Sequence, residues 1–305
     1  MKNVSIIIIS YNTKDLLVQC LESIYKETKE ILYEIIVVDN GSFDDSCKAV
    51  KENYLDVILI ENKENLGFAK AANIGAVQAK GLNFLFLNTD TVIKENAIKK
   101  LCVFISTRED AGICGPQLLN ANETLQNSVD NFPSPALMLF NKTLLRGCFP
   151  KRFPNKRREF KEPANVESLV GACLMIKREV FDLLKGFDED YFFFFEETDL
   201  CLRSHKNCFK VFLVPQAQVV HFQGASSASK IYEVRRQYFK SRYIFLKKHG
   251  YKDFEILVLK FFLVIKLFLN FIFCFLGSVL IFDKKLRQKA MVYFDLMVWH
   301  VYPKF

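Results

Sequence analysis

The sequence predicts an α/β fold: a mostly parallel central sheet flanked by helices, followed by a C-terminal hydrophobic and partly amphipathic helical segment. Three observations carry this. Over the first ninety residues, short apolar runs rich in β-branched residues alternate with stretches of helical periodicity. Polar clusters containing Asp or Asn follow directly on several of those runs. The last fifty residues are dominated by Leu, Phe, Ile and Val. A strand that is apolar throughout is buried on both faces, which a parallel sheet achieves by covering itself with helices. Such sheets take ligands at the carboxyl ends of their strands, so the polar residues there are the ones to examine.

In order along the chain, residues 4–9 form the first strand, ended by Ser10-Tyr11-Asn12. Residues 14–28 space Leu16, Leu17, Cys20, Leu21 and Ile24 at helical intervals. A strand over 34–38 leads into the turn Asp39-Asn40-Gly41-Ser42 and a helix over 44–53. A third strand (57–60), a third helix (68–80) and a fourth strand (84–87) follow, the last ending in Asn88-Thr89-Asp90. No GxGxxG follows the first strand, which argues against a dinucleotide-binding Rossmann domain. Further on, 170–176 is strand-like and contains Gly171, Gly186 ends a helix before Asp188, and the stretch 214–220 leads to His221.

Composition sets limits. The 305 residues are 50% hydrophobic and 25% charged, which excludes a wholly disordered chain and a polytopic transporter. Nine scattered cysteines with no CxxC suit a reducing compartment and give no zinc framework. Net charge is divided: residues 1–140 carry 13 Lys/Arg against 18 Asp/Glu, whereas 141–305 carry 29 against 16. The basic half is the candidate for an anionic surface. Residues 4–9 are too short for a signal-peptide core, so the N-terminus is expected in the cytoplasm.

Among the strand-end residues, Asp39 either accepts a hydrogen bond from a ligand such as a base imide or serves the following helix turn. Asp90 has the same two readings. The cluster Glu196, Glu197, Asp199 opens a helix, where the dipole favours carboxylates. It also adjoins Tyr191 and four consecutive phenylalanines, and apolar surroundings raise a carboxyl pKa toward that of a useful base. Glu196, Asp199 and Arg203 share a helix face, while Glu197 lies about 100° round. Gly171 gives either close approach of a substrate or tight packing. His221 is either structural or a metal ligand.

The runs VSIIIISYNTKDLLVQCLESI, YEIIVVDNGSFDDS, ENLGFAKAANIGAVQAKG, FLFLNTDTVI, GACLMIKREVFDLLKGFDEDYFFFFEETDLCLRSHK and VPQAQVVHFQGASS together resemble the inverting family 2 glycosyltransferases, most closely their rhamnosyltransferase-like branch. The resemblance covers roughly residues 3–250 and implies a GT-A fold. It implies that Asp39 reads the pyrimidine of a nucleoside-diphosphate sugar, with Ser10, Tyr11, Asn12 and Asn40 lining the pocket and Asn65 and Gly67 approaching from the loop before the third helix. Asn88-Thr89-Asp90 takes the place of the family's DXD motif, so Asp90, with His221, is expected to hold Mg²⁺ or Mn²⁺. The first Asp of that motif is here Asn88. The base is expected in Glu196-Glu197-Thr198-Asp199. Glu197 stands where the family usually has Asp, which leaves the choice among Glu196, Glu197 and Asp199 open. Gly171 and Asp188 are the expected acceptor contacts.

Two segments concern location. Residues 141–161 carry eight cations (Lys142, Arg146, Lys151, Arg152, Lys156, Arg157, Arg158, Lys161) against Glu159. They read either as a solvated loop or as a contact for lipid headgroups or an acceptor diphosphate. Nucleic acid is not expected, since no recognition module accompanies the charge. Residues 256–282 are apolar apart from interruptions such as Lys260, Lys266 and Asn270; the part free of charge, 267–282, is about 24 Å as a helix against a bilayer core of about 30 Å. A spanning helix and an in-plane helix both fit, as does a buried hairpin. The expected organisation is a glycosyltransferase domain over 1–230, with a nucleotide half (1–118) and an acceptor half (119–230). C-terminal helices would follow over 231–305, membrane-associated from about 255 at the cytoplasmic face. The expected function is sugar transfer to a lipid-linked or polysaccharide acceptor. A non-catalytic nucleotide-sugar-binding subunit and a membrane-associated nucleotidyltransferase are the alternatives.

Overall fold

The apolar runs at 4–9, 34–38 and 84–87 become largely buried strands and the run at 57–60 a half-buried edge strand, and their alternation feeds two separate core layers. The structure is a computed structural model that describes residues 2–149, 159–224 and 231–302. It divides into two units, one formed by Met1–Phe132 with Asn155–Ser226, the other by Pro133–Pro154 with Ser227–Phe305.

The first unit begins β1 (Lys2–Ser10), α1 (Lys14–Glu27), β2 (Tyr33–Asp39), α2 (Ser46–Asn53), β3 (Ile58–Glu61), α3 (Phe68–Gln78) and β4 (Gly81–Asn88). It continues with β5 (Thr91–Lys94), α4 (Ala97–Ser106), β6 (Ala111–Leu119) and the short β7 (Val129–Asp130). The second unit contributes α5 (Pro135–Leu139) and α6 (Lys142–Cys148). The chain then returns to the first unit for β8 (Ala164–Asn165), β9 (Ser168–Leu169), β10 (Cys173–Lys177), α7 (Arg178–Leu183), α8 (Glu196–Lys206) and β11 (Lys210–His221). Three helices of the second unit follow: α9 (Ile231–Lys248), α10 (Asp253–Leu280) and α11 (Lys284–Val301).

The central sheet runs β3-β2-β1-β4-β10-β6-β11-β5, with β8 beside β11. β1 is parallel to both β2 and β4, so the chain reverses its direction of travel across the sheet at β1. That reversal opens a crevice at the carboxyl ends of the strands. β10, β5 and β8 run antiparallel to their neighbours, and the rest of the sheet is parallel. Successive strand residues point to opposite faces. Ile6, Ile8, Ile35, Val37, Leu85 and Leu87 therefore join one core layer with α1 and α4, while Ile7, Ile36, Val38, Phe84 and Phe86 join the other with α3, α7 and α8. Full burial of each such side chain contributes about 1.5–3 kcal/mol. The buried face of α3 is made of small residues, including Ala69, Ala71, Ala72 and Ala76. The helix packs against β1 and β2, which holds its N-terminal loop at the crevice.

Two expectations need correction. Residues 133–154 group with the C-terminal helices and not with an acceptor half spanning 119–230. The physical reason is that Met138 on α5 packs in one apolar cluster with Tyr243, Leu246, Ile256, Leu259, Leu263 and Leu267. The strand-like stretch 170–176 becomes regular only from Cys173, leaving Gly171 in the turn before β10. Of the basic loop, residues 150–158 lie outside the described residues.

In the second unit, the lysines that interrupt the apolar stretch of α10 turn toward protein. The Lys260 ammonium lies 4.7 Å from the Tyr243 ring centroid, and Lys266 Nζ donates to the Met138 carbonyl at 2.7 Å. Ile256, Leu259, Leu263, Leu267, Cys274 and Ser278 make the buried stripe of the helix. The opposite side, including Phe254, Phe261, Phe268 and Phe273, is exposed. By length and composition α10 is able to cross a membrane, at 28 residues and a mean hydropathy of 2.4 over its most apolar window.

Candidate active site

The register of the parallel strands aligns the polar strand ends. Ser10 pairs with Asp39, Ile9 with Asn88, and Asp39 with Glu61, so the clusters after β1, β2 and β4 lie along one sheet edge.

Asp39 is only 3% exposed. Its Oδ2 accepts the Gly41 and Ser42 N–H groups at 3.2 and 2.9 Å, while its Oδ1 is buried with no hydrogen-bond partner. The turn reading therefore accounts for one oxygen and leaves the other over. A carboxylate oxygen without a partner in a buried position is destabilising by roughly 1–3 kcal/mol or more unless something donates to it. Cys47 sits beside this carboxylate, and burial, then the Asp39 charge and the thiol's weak donation toward Asp39, push its thiol up to about 12; a thiol is a poor donor and does not take the place of an N–H. Asn12 ties the first two loops together: its N–H donates to Ser42 Oγ at 2.9 Å and its Oδ1 accepts the Phe43 N–H at 2.8 Å, from a left-handed backbone at φ 53°. The Ser10 hydroxyl lies 3.2 Å from that of Thr13, and Tyr11 is half-buried beside them.

Asn40 and Asn65 brace the next loop. Asn40 Nδ2 donates to Asn65 Oδ1 at 2.9 Å and to the Gly67 carbonyl at 3.2 Å; Asn40 Oδ1 accepts from Asn62 Nδ2 and the Leu66 N–H, each at 3.1 Å. Their side chains thus shape the wall of the crevice. Gly67, at φ 83°, meets the phenylalanine-rich segment: a Cβ there would stand 2.5 Å from the Phe192 carbonyl oxygen, which accepts the Phe68 N–H at 2.7 Å. Glycine is required by both the dihedral and the close approach.

After β4, Thr89 is buried and Asp90 is 4% exposed. Asp90 Oδ1 lies 3.5 Å from His221 Nε2, and the Asp90 carbonyl accepts the Phe222 N–H at 2.9 Å. Sequence spacing alone, 131 residues apart, gives no hint of this pairing. His221 Nδ1 lies 2.7 Å from Gln126 Oε1. Asn88 donates its N–H to the Ala172 carbonyl at 2.9 Å, which brings the turn containing Gly171 against the end of β4.

Gly171 leads on to the carboxylates. A Cβ at Gly171 would lie 3.2 Å from Glu197 Cγ, so its smallness accommodates Glu197. The three carboxylates of α8 differ sharply. Asp199 is fully buried and accepts from Arg203 Nε at 2.6 Å; the same guanidinium donates to the Leu184 and Gly186 carbonyls at 2.7 and 3.0 Å. Glu196 is 5% exposed with Oε2 unpartnered. Burial first, then the neighbouring Glu197, pushes its carboxyl well above the usual range. Glu197 is part-buried, also with Oε2 unpartnered. Burial raises its carboxyl too, against the opposing pull of the backbone N–H groups of Glu197, Thr198, Gly171 and Phe195. Just before these residues, Phe194 and Phe195 are both at φ 69°. Two successive non-glycine residues in the left-handed region store of order 1–3 kcal/mol each, a concentration of strain found at functional sites. Asp188 forms a turn, its Oδ1 accepting the Asp190 N–H at 3.1 Å and its carbonyl the Tyr191 N–H at 3.3 Å.

Residues 5–184 match the family model described as Glycosyl transferase family 2. The chain belongs to this family. Glycosyl transferase family 2 relatives include the N-acetylglucosaminyl-diphospho-decaprenol L-rhamnosyltransferase of Mycobacterium tuberculosis, 29% identical over 228 residues, covering 70% of this chain and 74% of that one. The dTDP-rhamnosyl transferase RfbF of Shigella flexneri is 25% identical over 253 residues, covering 80% and 79%. Among solved structures, the mannosyltransferase PcManGT of Pyrobaculum calidifontis, in complex with GDP-Man and Mn²⁺, superposes over 100% of this chain and 88% of its own, with a TM-score of 0.62 at 16% identity. The fold is thus GT-A, as the family resemblance implied, and the chain is a rhamnosyltransferase-like glycosyltransferase. Glu196, Glu197 and His221 lie beyond the matched residues. Gln126 carries no motif, and sequence reasoning passed over it; Phe194 and Phe195 read only as apolar neighbours of the carboxylates, with no sign of their left-handed backbone.

Proposed function

We propose that this glycosyltransferase moves a sugar, with inversion and with the help of a divalent cation, from a pyrimidine nucleoside diphosphate to a lipid-linked or polysaccharide acceptor at a membrane surface. The observation that carries the donor assignment is the unpartnered, buried Asp39 Oδ1 at the same sheet edge as Asn88-Thr89-Asp90. An imide N–H of uracil or thymine supplies the donor that this oxygen lacks. The names of the relatives, both rhamnosyltransferases, favour dTDP-rhamnose among such donors.

Asp90 and His221 fit a cation. Two ligands about 2.1 Å from one octahedral ion stand about 3 Å apart, close to the 3.5 Å between Asp90 Oδ1 and His221 Nε2. Among the described residues no third His, Cys, Asp or Glu completes a cluster, so water and the diphosphate would fill the remaining positions, as is usual for Mg²⁺. When bound, such an ion supplies positive charge to the departing diphosphate. Glu197 is the base: of the three carboxylates of α8 it alone combines partial exposure with a place beside Gly171, whereas Glu196 is enclosed and Asp199 is tied to Arg203. It takes the proton of the acceptor hydroxyl as that oxygen bonds to the anomeric carbon from the face opposite the diphosphate. The old glycosidic bond breaks with its electron pair leaving on the phosphate oxygen, and the configuration inverts.

The test is thermal unfolding with dTDP, UDP, GDP and CDP, each with Mn²⁺ and with chelator. At a hundredfold excess over Kd a ligand stabilises by about 2.7 kcal/mol, a shift of several degrees. A shift with dTDP or UDP and none with CDP, whose N3 is an acceptor, is the expected result. No shift with any nucleotide overturns the Asp39 and Asp90 assignments together.

The outward face of α10 supports the membrane reading, because both interrupting lysines point inward and leave the exposed phenylalanines uninterrupted by Lys260 or Lys266. Burying a phenylalanine is worth about 1.5–3 kcal/mol. The double variant Phe261→Ser/Phe273→Ser is therefore expected to bind vesicles of bacterial polar lipid at least ~100-fold more weakly in a flotation assay. Undiminished flotation removes the lipid assignment of this face.

A further inference from the structure

We infer that Gln126 holds His221 in the one ring tautomer that prevents His221 and Asp90 from satisfying each other, and so keeps both available to a divalent cation. The inference rests on the cation reading above and concerns a residue outside every motif.

Gln126 sits between β6 and β7 and is fixed at both backbone and side chain. Its N–H donates to the Leu118 carbonyl at 2.8 Å, and its carbonyl accepts from Gln117 Nε2 at 2.8 Å and Ser128 Oγ at 3.1 Å. Its carboxamide makes three contacts: Nε2 to Asn120 Oδ1 at 3.1 Å, Nε2 to the His221 carbonyl oxygen at 3.0 Å, and Oε1 to His221 Nδ1 at 2.7 Å.

These contacts fix the direction of every hydrogen bond. A backbone carbonyl only accepts, so the amide atom facing His221 O is the NH₂ group. The atom facing Nδ1 is then the amide oxygen, which also only accepts, and Nδ1 must carry the proton. In neutral His221 the lone pair therefore resides on Nε2, 3.5 Å from a carboxylate oxygen. Asp90 is 4% and His221 7% exposed, so two acceptors face each other in a place where water has little access. Positive charge between them, a divalent ion or a second ring proton on Nε2, resolves the conflict, and the ion does so while the ring stays neutral. Without the Gln126 oxygen the ring is free to carry its proton on Nε2, donate it to Asp90 and close the site with an internal hydrogen bond. Groups that orient a metal-bound histidine in this manner typically change metal affinity 10–100-fold when removed.

Two measurements test this on the full chain. The first is ¹⁵N NMR of metal-free, histidine-labelled protein, with His221→Gln to assign the resonance. Protonation of neutral His221 on Nδ1 is expected; protonation on Nε2 overturns the inference without any variant at Gln126. The second is Mn²⁺ binding followed by the loss of the free-ion electron paramagnetic resonance signal. Gln126→Met keeps the side-chain length without the acceptor and is expected to weaken Mn²⁺ 10–100-fold, with the ring proton moving to Nε2 and metal-free dTDP or UDP binding unchanged. Equal Mn²⁺ affinity in the two proteins overturns the role of Gln126 and leaves the cation reading standing. Failure of Mn²⁺ to bind the unaltered protein, with or without nucleotide, overturns both.

Discussion

Glu197→Gln is expected to lower sugar transfer by ~10²–10⁴-fold, the usual contribution of a positioned general base, while nucleotide-induced stabilisation stays unchanged. The amide keeps the shape that fills the space over Gly171, where a Cβ would already stand 3.2 Å from Glu197 Cγ, so the loss reports chemistry. The same assignment fixes the sign of the pH dependence. A base works deprotonated, and burial raises the Glu197 carboxyl above its ordinary 4.5. Activity should therefore climb with pH through a limb lying above the usual carboxylate range, and the residual activity of the Gln variant should lack that limb. Glu196 is raised alongside it by burial and by the Glu197 charge, so the limb belongs to the adjacent pair. The folded chain holds protons on these carboxyls that the unfolded chain would have released above 4.5. The stability they contribute is full below that value and declines as pH rises through the raised folded pKa values. A pH–rate profile of turnover in both proteins checks the assignment. Equal turnover in the Gln variant removes Glu197 from the chemistry and returns attention to Glu196.

What was legible in the sequence follows the length scale of the interactions. Strands β1 to β4 and the helices between them are specified by local apolar patterning, and the parallel register then carries Asp39 and Asn88 to one edge without further information. Other features depend on contacts between distant segments. Asn40 and Asn65 read as pocket residues, yet their side chains are committed to each other and to the Gly67 loop. Gly171 read as either an approach for substrate or tight packing; the tight contact is with Glu197 itself. The helical-wheel argument correctly set Glu197 apart from Asp199 and Arg203, which pair four residues apart. It had no means of seeing that Arg203 also holds the Leu184 and Gly186 carbonyls. The left-handed pair Phe194-Phe195 was invisible for a related reason: phenylalanine disfavours that conformation, and only surrounding structure imposes it. Lys260 and Lys266 read as breaks in an apolar helix, but partners on α9 and α5 turn them inward.

Asp90→Asn should separate the two halves of donor recognition. Asp90 is the only carboxylate of its strand end, because Asn88, the first position of Asn88-Thr89-Asp90, is neutral. Its fold role rests on the backbone, whose carbonyl accepts the Phe222 N–H, and the substitution leaves that bond in place. What changes is the side chain: an amide brings no charge, and its NH₂ group donates to the His221 Nε2 lone pair that the Gln126 contact sets against it. The variant thus makes permanent the internal hydrogen bond that the unaltered chain avoids. Charge stabilisation of a leaving diphosphate is worth several kcal/mol, so turnover is expected to fall ~10³-fold or more. The Mn²⁺-dependent part of the nucleotide shift should vanish, while the part that persists in chelator remains, since that part comes from Asp39. Asp39→Ala should do the reverse to binding, abolishing the shift in chelator and leaving Mn²⁺ affinity near its original value. If both substitutions removed both effects together, the base and diphosphate ends of the crevice would not be separable sites. The division of labour between β2 and β4 would then have to be abandoned.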